Sequence, residues 1–173
     1  SPSLMNLYSE YESIIKTYKL YYDKIISLFN FKHFTEMNRS LFNIGFNDKI
    51  DSLDAEIIQI ESHLHIISNR FSSIIGVPNS CKIDYTDKNG YYLYTTKHRS
   101  KLCGPRFQNM GNILTIRYPQ DELLTIDTST ISYKMKDSSH VYIECPEINE
   151  LTDKLLEKVQ TMKTMNDTYW NES

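Results

Sequence analysis

Ser132, Lys134 and Lys136 stand two residues apart and alternate with the apolar Ile131, Tyr133 and Met135. Side chains two apart on a strand point to one face, so the spacing predicts a strand that packs on one side and is basic on the other. A second basic group, Lys97, Arg99 and Lys101, follows the aromatic run Tyr91-Tyr92-Leu93-Tyr94. Charge is uneven along the chain. From Lys82 to Lys136, nine basic residues stand against five acidic ones, a local charge of +4; the chain as a whole carries −3, which leaves −7 for the remainder. Such asymmetry points to an anionic partner for the middle of the chain, with ordinary solvated charge as the plain alternative.

Other chemistries lack their residues. None of the five glycines begins a G-x-x-x-x-G-K-[ST] loop, so no phosphate cradle for a nucleotide is expected. His63 and His65 are two apart in a helical pattern and diverge, which places them poorly for a shared metal ion. Cys103 has no base suggested by sequence, and Asp84, Asp121, Glu122 and Asp127 show no metal-ligand spacing. The sequence is therefore not expected to be catalytic. Three cysteines without a C-x-x-C pair predict a reduced, intracellular protein. No apolar run approaches the ~20 residues of a membrane span. The opening Ser1-Pro2-Ser3, with no methionine, suggests an excised fragment.

The positioning elements follow from periodicity. Cys81 to Lys97 reads as a β-hairpin turning at Asp87-Lys88-Asn89-Gly90, where Asn89-Gly90 can supply positive φ. Upstream, three adjacent heptad registers (Leu4, Tyr11, Tyr18, Ile25; Leu7, Ile14, Tyr21, Leu28; Tyr8, Ile15, Tyr22, Phe29) predict a helix of roughly 40 Å covered by more than one neighbour. Its tyrosines read as core rather than as a base-stacking platform. Turn residues surround a short helix expected near Thr35 to Phe42. After Asn47, a good N-cap, an a/d seam runs through Ile50, Leu53, Ile57, Ile60, Leu64, Ile67, Phe71 and Ile74, and Gly76 and Pro78 end it. Further strands are expected near 113–118, 123–126, 131–135 and 141–144. Pro146 opens a last helix with the stripe Ile148, Leu151, Leu155, Val159 and Met162, which should pair antiparallel with the seam.

Three landmarks in this order carry a family resemblance. Gly45-Phe46-Asn47-Asp48-Lys49-Ile50-Asp51-Ser52-Leu53 resembles the G-[YF]-[ND]-x-x-[IL]-D-x-L signature that begins the descending lever helix in the MutS mismatch-repair family. Asn89-Gly90-Tyr91-Tyr92-Leu93 resembles the G-Y-Y-[IL] strand that opens that family's DNA clamp. Lys134-Met135-Lys136-Asp137 through Tyr142, then Pro146-Glu147-Ile148-Asn149-Glu150-Leu151, is similar to its T-L-K-N...[RK]-[YF]...P-E-L-x-x-[LY] passage. The resemblance spans residues 43 to 160. Departures are a longer link, with Cys103 to Asp127 adding room for an extra hairpin, one more residue between Lys136 and Tyr142, Asp137 where asparagine is usual, and His140 near the usual arginine. The lean toward Ile, Lys, Asn and Tyr suits an AT-rich genome and a divergent branch such as the giant-virus and coral-mitochondrial type.

The resemblance implies an α+β, mainly helical fold: lever helices over 1–80, a small antiparallel β-rich clamp over 81–146, and a returning lever helix over 147–173. It implies a fragment that grips double-stranded DNA by its backbone, with Lys134, Lys136, Ser132 and Ser139 as contacts and Lys97, Arg99 and Lys101 as a second group. The full-length protein would be a homodimer and a DNA-dependent ATPase using ATP and Mg, neither of them held by this fragment. It would act wherever its DNA lies, in nucleus, mitochondrion or viral replication site. The alternative is a coiled-coil-borne module for protein–protein interaction without DNA binding.

Overall fold

The structure, a computed structural model, describes residues 2 to 36 and 38 to 172. It is an α+β fold with α1 (Pro2–Leu28), α2 (Asp48–Ile75), β1 (Lys82–Thr86), β2 (Gly90–Thr96), α3 (Lys97–Asn109), β3 (Ile113–Arg117), β4 (Leu123–Asp127), β5 (Ser132–Met135), β6 (His140–Glu144) and α4 (Pro146–Glu172). These elements form two compact units, one of residues up to Asp54 with those from Thr161 onward, the other Ala55–Gln160.

In the first unit, α1 departs from expectation. Every described side chain from Ser3 to Ser27 is exposed, so the apolar stripe that should have been core is covered only at its end, where Phe29 meets Phe42 and Trp170. An amphipathic pattern records that a partner is needed, and the described residues do not supply it along most of this helix. The segment expected as a short helix near Thr35 to Phe42 is also different. Met37 lies outside the described residues; the others form no helix beyond a single 3₁₀ turn at Phe31–His33 just before them. Their backbone groups are taken by side chains instead. Ser40 N–H donates to Asp54 Oδ1 (3.1 Å), Leu41 N–H to Asn166 Oδ1 (3.1 Å) and Phe42 N–H to Ser40 Oγ (3.1 Å). Arg39 adds a two-pronged contact to Asp54 at 2.8 and 2.9 Å. Burial pushes the Asp54 carboxyl up, but the Arg39 and Ser40 hydrogen bonds and the guanidinium charge outweigh it and hold the pKa below 3.8. Asn47 caps α2 as expected, accepting from Lys49 and Ile50 N–H, and its Nδ2 donates to the Tyr169 hydroxyl of α4 (3.1 Å).

In the second unit the a/d seam of α2 is core: Ile57, Ile60, Leu64, Ile67, Phe71 and Ile74 are buried, as are Ile148, Leu155 and Val159 of α4. Each such side chain contributes about 1.5–3 kcal/mol by leaving water. Lys158 of α4 pairs with Glu56 of α2. Gly76, at φ +82°, ends α2 with Val77 N–H reaching back to the Ser72 carbonyl. The Arg106 guanidinium donates to the Ile74 carbonyl at the same terminus.

The sheet order is β1-β2-β6-β5, antiparallel throughout, with β3 and β4 forming a separate hairpin in the long link. At the β1–β2 turn Gly90 alone takes positive φ (+67°), while Asn89 N–H donates to Thr86 Oγ1. Buried hydroxyls tie the sheet to α2. Ser68 Oγ donates to the Cys81 carbonyl (2.7 Å), Cys81 N–H donates to Ser72 Oγ (3.0 Å), and Thr95 Oγ1 donates to the Ser80 carbonyl (2.7 Å). α3 is the element that periodicity does not announce. Its buried face is only Ser100, Cys103 and Phe107, and Thr96 starts it by accepting from Arg99 N–H.

Candidate nucleic-acid interface

The sheet has an inner and an outer face fixed by its period of two. Leu93, Thr95, Val141 and Ile143 are buried, so Tyr92, Tyr94, His140, Tyr142 and Glu144 stand on the outer face. Pairing of Lys134 with Tyr142 puts Lys134 there too, and Lys136, two residues on, shares its side. The basic face read from alternation exists.

Neither lysine is an unengaged charge. Lys134 Nζ lies 2.8 Å from Glu144 Oε2. Lys136 is only 23% exposed, its Nζ 5.7 and 5.2 Å from the ring centroids of Tyr92 and Tyr94 and 3.7 Å from Asp137 Oδ2. Cation–π contact suits an ammonium in that position. Ser132 is exposed at the far end of β5, opposite Glu144.

The second basic group is differently placed. Lys97 N–H donates to the Ser139 carbonyl at 2.9 Å, continuing the ladder in which Thr96 faces His140, so the start of α3 adjoins the β5–β6 turn. Two groups some 35 positions apart in sequence thus meet at one end of the sheet. α3 carries Lys97, His98, Arg99, Lys101 and Arg106 and no acidic residue. Arg106 is committed to the end of α2, whereas Lys97, Arg99 and Lys101 form no ion pair among the described residues. The turn that Lys97 adjoins carries one acid, Asp137. Asp137 accepts from Ser139 and His140 N–H (both 2.8 Å) and contacts the His140 ring at 2.9 Å. The Ser139 N–H and the His140 side chain lower its pKa to about 2, so it stays ionised.

Sequence alone did not assign Tyr92, Tyr94, Tyr142 and Lys82 to this surface. The signal was the 92/94 alternation, which becomes informative once the Gly90 turn fixes Lys82 opposite Tyr94. The three cysteines are buried and free. Burial raises the thiols of Cys81 to about 12 and Cys145 to about 11, which makes them poor nucleophiles. Among the described residues, no group of three or more His, Cys, Asp or Glu could hold a metal ion, and no helix is long and apolar enough to cross a membrane.

No protein-family model matches the chain. Over 160 residues, covering 87% of it, the chain is 24% identical to a protein of Acanthamoeba polyphaga mimivirus named "Putative DNA mismatch repair protein mutS homolog L359". The chain spans 14% of that protein's length. This likeness to a mutS homolog is to the same family whose three motifs the sequence resembles.

Proposed function

We propose that this chain is the lever and clamp part of a MutS-like DNA mismatch repair protein and that it grips duplex DNA through the phosphate backbone without reading sequence. The observation that carries the reading is the cationic end of the sheet, where Lys97, Arg99 and Lys101 form no ion pair among the described residues and Lys97 adjoins Ser139. The likeness to the mimivirus mutS homolog supports it. Side chains of this kind displace condensed counterions from DNA, which supplies affinity but no sequence information. α3 makes the main contacts, the Ser139 and Ser132 hydroxyls and Lys136 add to them, and Lys134 joins only by exchanging Glu144 for a phosphate. α2 and α4 serve as the lever helices. Dimerisation and the ATP- and Mg-dependent steps belong to other parts of the parent protein.

The test is duplex binding by the 173-residue chain, expected at Kd on the order of 10⁻⁴ to 10⁻⁶ M as for non-specific association. Lys97→Glu with Arg99→Glu and Lys101→Glu should abolish it, and Lys134→Glu with Lys136→Glu should weaken it less. Undiminished binding by the triple variant, or preference for one sequence, would contradict the reading. A second reading, a protein-interaction module, is favoured by the exposed stripe of α1; it predicts association with a protein that is indifferent to salt.

A further inference from the structure

The register aligns Lys82 of β1, Tyr94 of β2, Tyr142 of β6 and Lys134 of β5 in one row across the sheet, two tyrosines bracketed by two lysines. Tyr92 adjoins the row, its ring 5.1 Å from that of Tyr142 and 5.9 Å from that of Tyr94. Tyr92, Tyr94 and Tyr142 are each part-exposed, and the Lys136 ammonium that lies over the rings of Tyr92 and Tyr94 has to swing aside for a base to stack on Tyr94. Beside the row lies a groove of about 410 Å³, lined by Tyr92, Tyr142 and Lys134, by the amide and hydroxyl side chains of Asn89, Asn149 and Thr152, and by the carboxylates of Glu144 and Asp153. That volume falls within the range of small-ligand sites. Charge still favours an anion: Lys82, Lys134, Lys136, Lys97, Arg99 and Lys101 stand at or near this face against Asp84, Glu144, Asp137 and Asp153.

Outward aromatic rings on the middle strands of a four-stranded sheet, flanked by ammonium groups, suit bases that are free to unstack, and a duplex hides those base faces. We propose that the outer face of this sheet binds an unpaired stretch of DNA, with bases stacked on Tyr94 and Tyr142 and the backbone held by Lys82 and Lys134. One base turns into the groove beside Tyr92, where the amides and hydroxyl meet its edge. This inference rests on the proposed function only for the anionic nature of the partner; its contacts, Lys134 apart, are different residues, and Lys134 again exchanges Glu144 for a phosphate.

The experiment compares fluorescence anisotropy of a labelled oligothymidine of about fifteen nucleotides, a length single-strand sites accommodate, with that of a duplex of equal length. Tyr94→Ala with Tyr142→Ala should weaken oligothymidine binding by about tenfold or more and leave duplex binding within about twofold, while Tyr94→Phe with Tyr142→Phe keeps both. No measurable binding of oligothymidine by the unaltered chain, or equal losses for both ligands, would overturn the proposal. Should the alanine pair fail to fold, photocrosslinking of 5-iodouracil-substituted oligothymidine to the unaltered chain decides it. Crosslinks at Tyr92, Tyr94 or Tyr142 support it, and crosslinks confined to α3, or none, overturn it. Duplex binding that survives the triple α3 substitution would defeat the proposed function and leave this result standing.

Discussion

α1 and α2 are almost matched in length, 27 and 28 residues, and both carry heptad-spaced apolar residues over nearly their whole extent. Their fates differ. Ile57, Leu64, Ile67 and Phe71 of α2 are at most 1% exposed, whereas the large apolar side chains from Leu4 to Ile26 of α1 are 44–76% exposed. Around α2 the chain supplies what the stripe requires: Phe107 meets Phe71 at 6.0 Å edge-on, Tyr118 stacks on His63 at 3.9 Å, and Tyr91 donates to Glu61 at 3.2 Å. Around α1 no described side chain from Ser3 to Ser27 is buried, and the Asn43 amide reaches only the carbonyls of its last turn, Ile26 and Ser27. A stripe therefore specifies that a surface must be covered, and a single sequence leaves open whether the cover lies in the same chain.

Substitutions can break this contrast or sharpen it. Phe71→Ala should produce the largest loss, about 3–5 kcal/mol in denaturant unfolding, because it opens a cavity against Phe107. Asn166→Ala comes next. It removes the amide that accepts from the Leu41 N–H and donates to the Arg39 carbonyl (3.1 and 3.0 Å), at a cost of roughly 1–3 kcal/mol. Acid titration tests the other polar tie of that unit. Asp54 has its folded pKa lowered, so its contribution is present above the ordinary 3.8 and is lost as pH falls through the depressed value. Arg39→Ala should remove that part of the acid transition, and an unchanged acid limb would refute the pairing. Tyr18→Ala on α1 should have the smallest effect, within about 0.5 kcal/mol, as for surface positions. A loss there comparable to that of Phe71→Ala would erase the distinction between the two helices.

Much of the fold was legible because period and punctuation agree. Asn47, Gly76 and Pro146 bound α2 and α4 close to where caps and breakers place them, and alternation located β3 to β6 within a residue or two. What stayed hidden depends on distant partners. The segment around Ser40 is set by Asp54 and Asn166, the latter 125 positions from Leu41, and no local pattern announces that. α3 escaped notice because three small or isolated buried residues make too thin a stripe. At the candidate interface the alternation of Lys134 and Lys136 correctly gave a shared face. Their engagement with Glu144 and the tyrosine rings required the register, which also moved the weight of open charge onto α3.

The claim that α3 carries the phosphate contacts is tested most directly by the salt dependence of duplex binding. Replacing Lys97, Arg99 and Lys101 with glutamine should flatten the slope of log affinity against log salt by about 2.7, at roughly 0.9 per lost phosphate contact on B-form DNA. A slope identical to that of the unaltered chain would contradict the account.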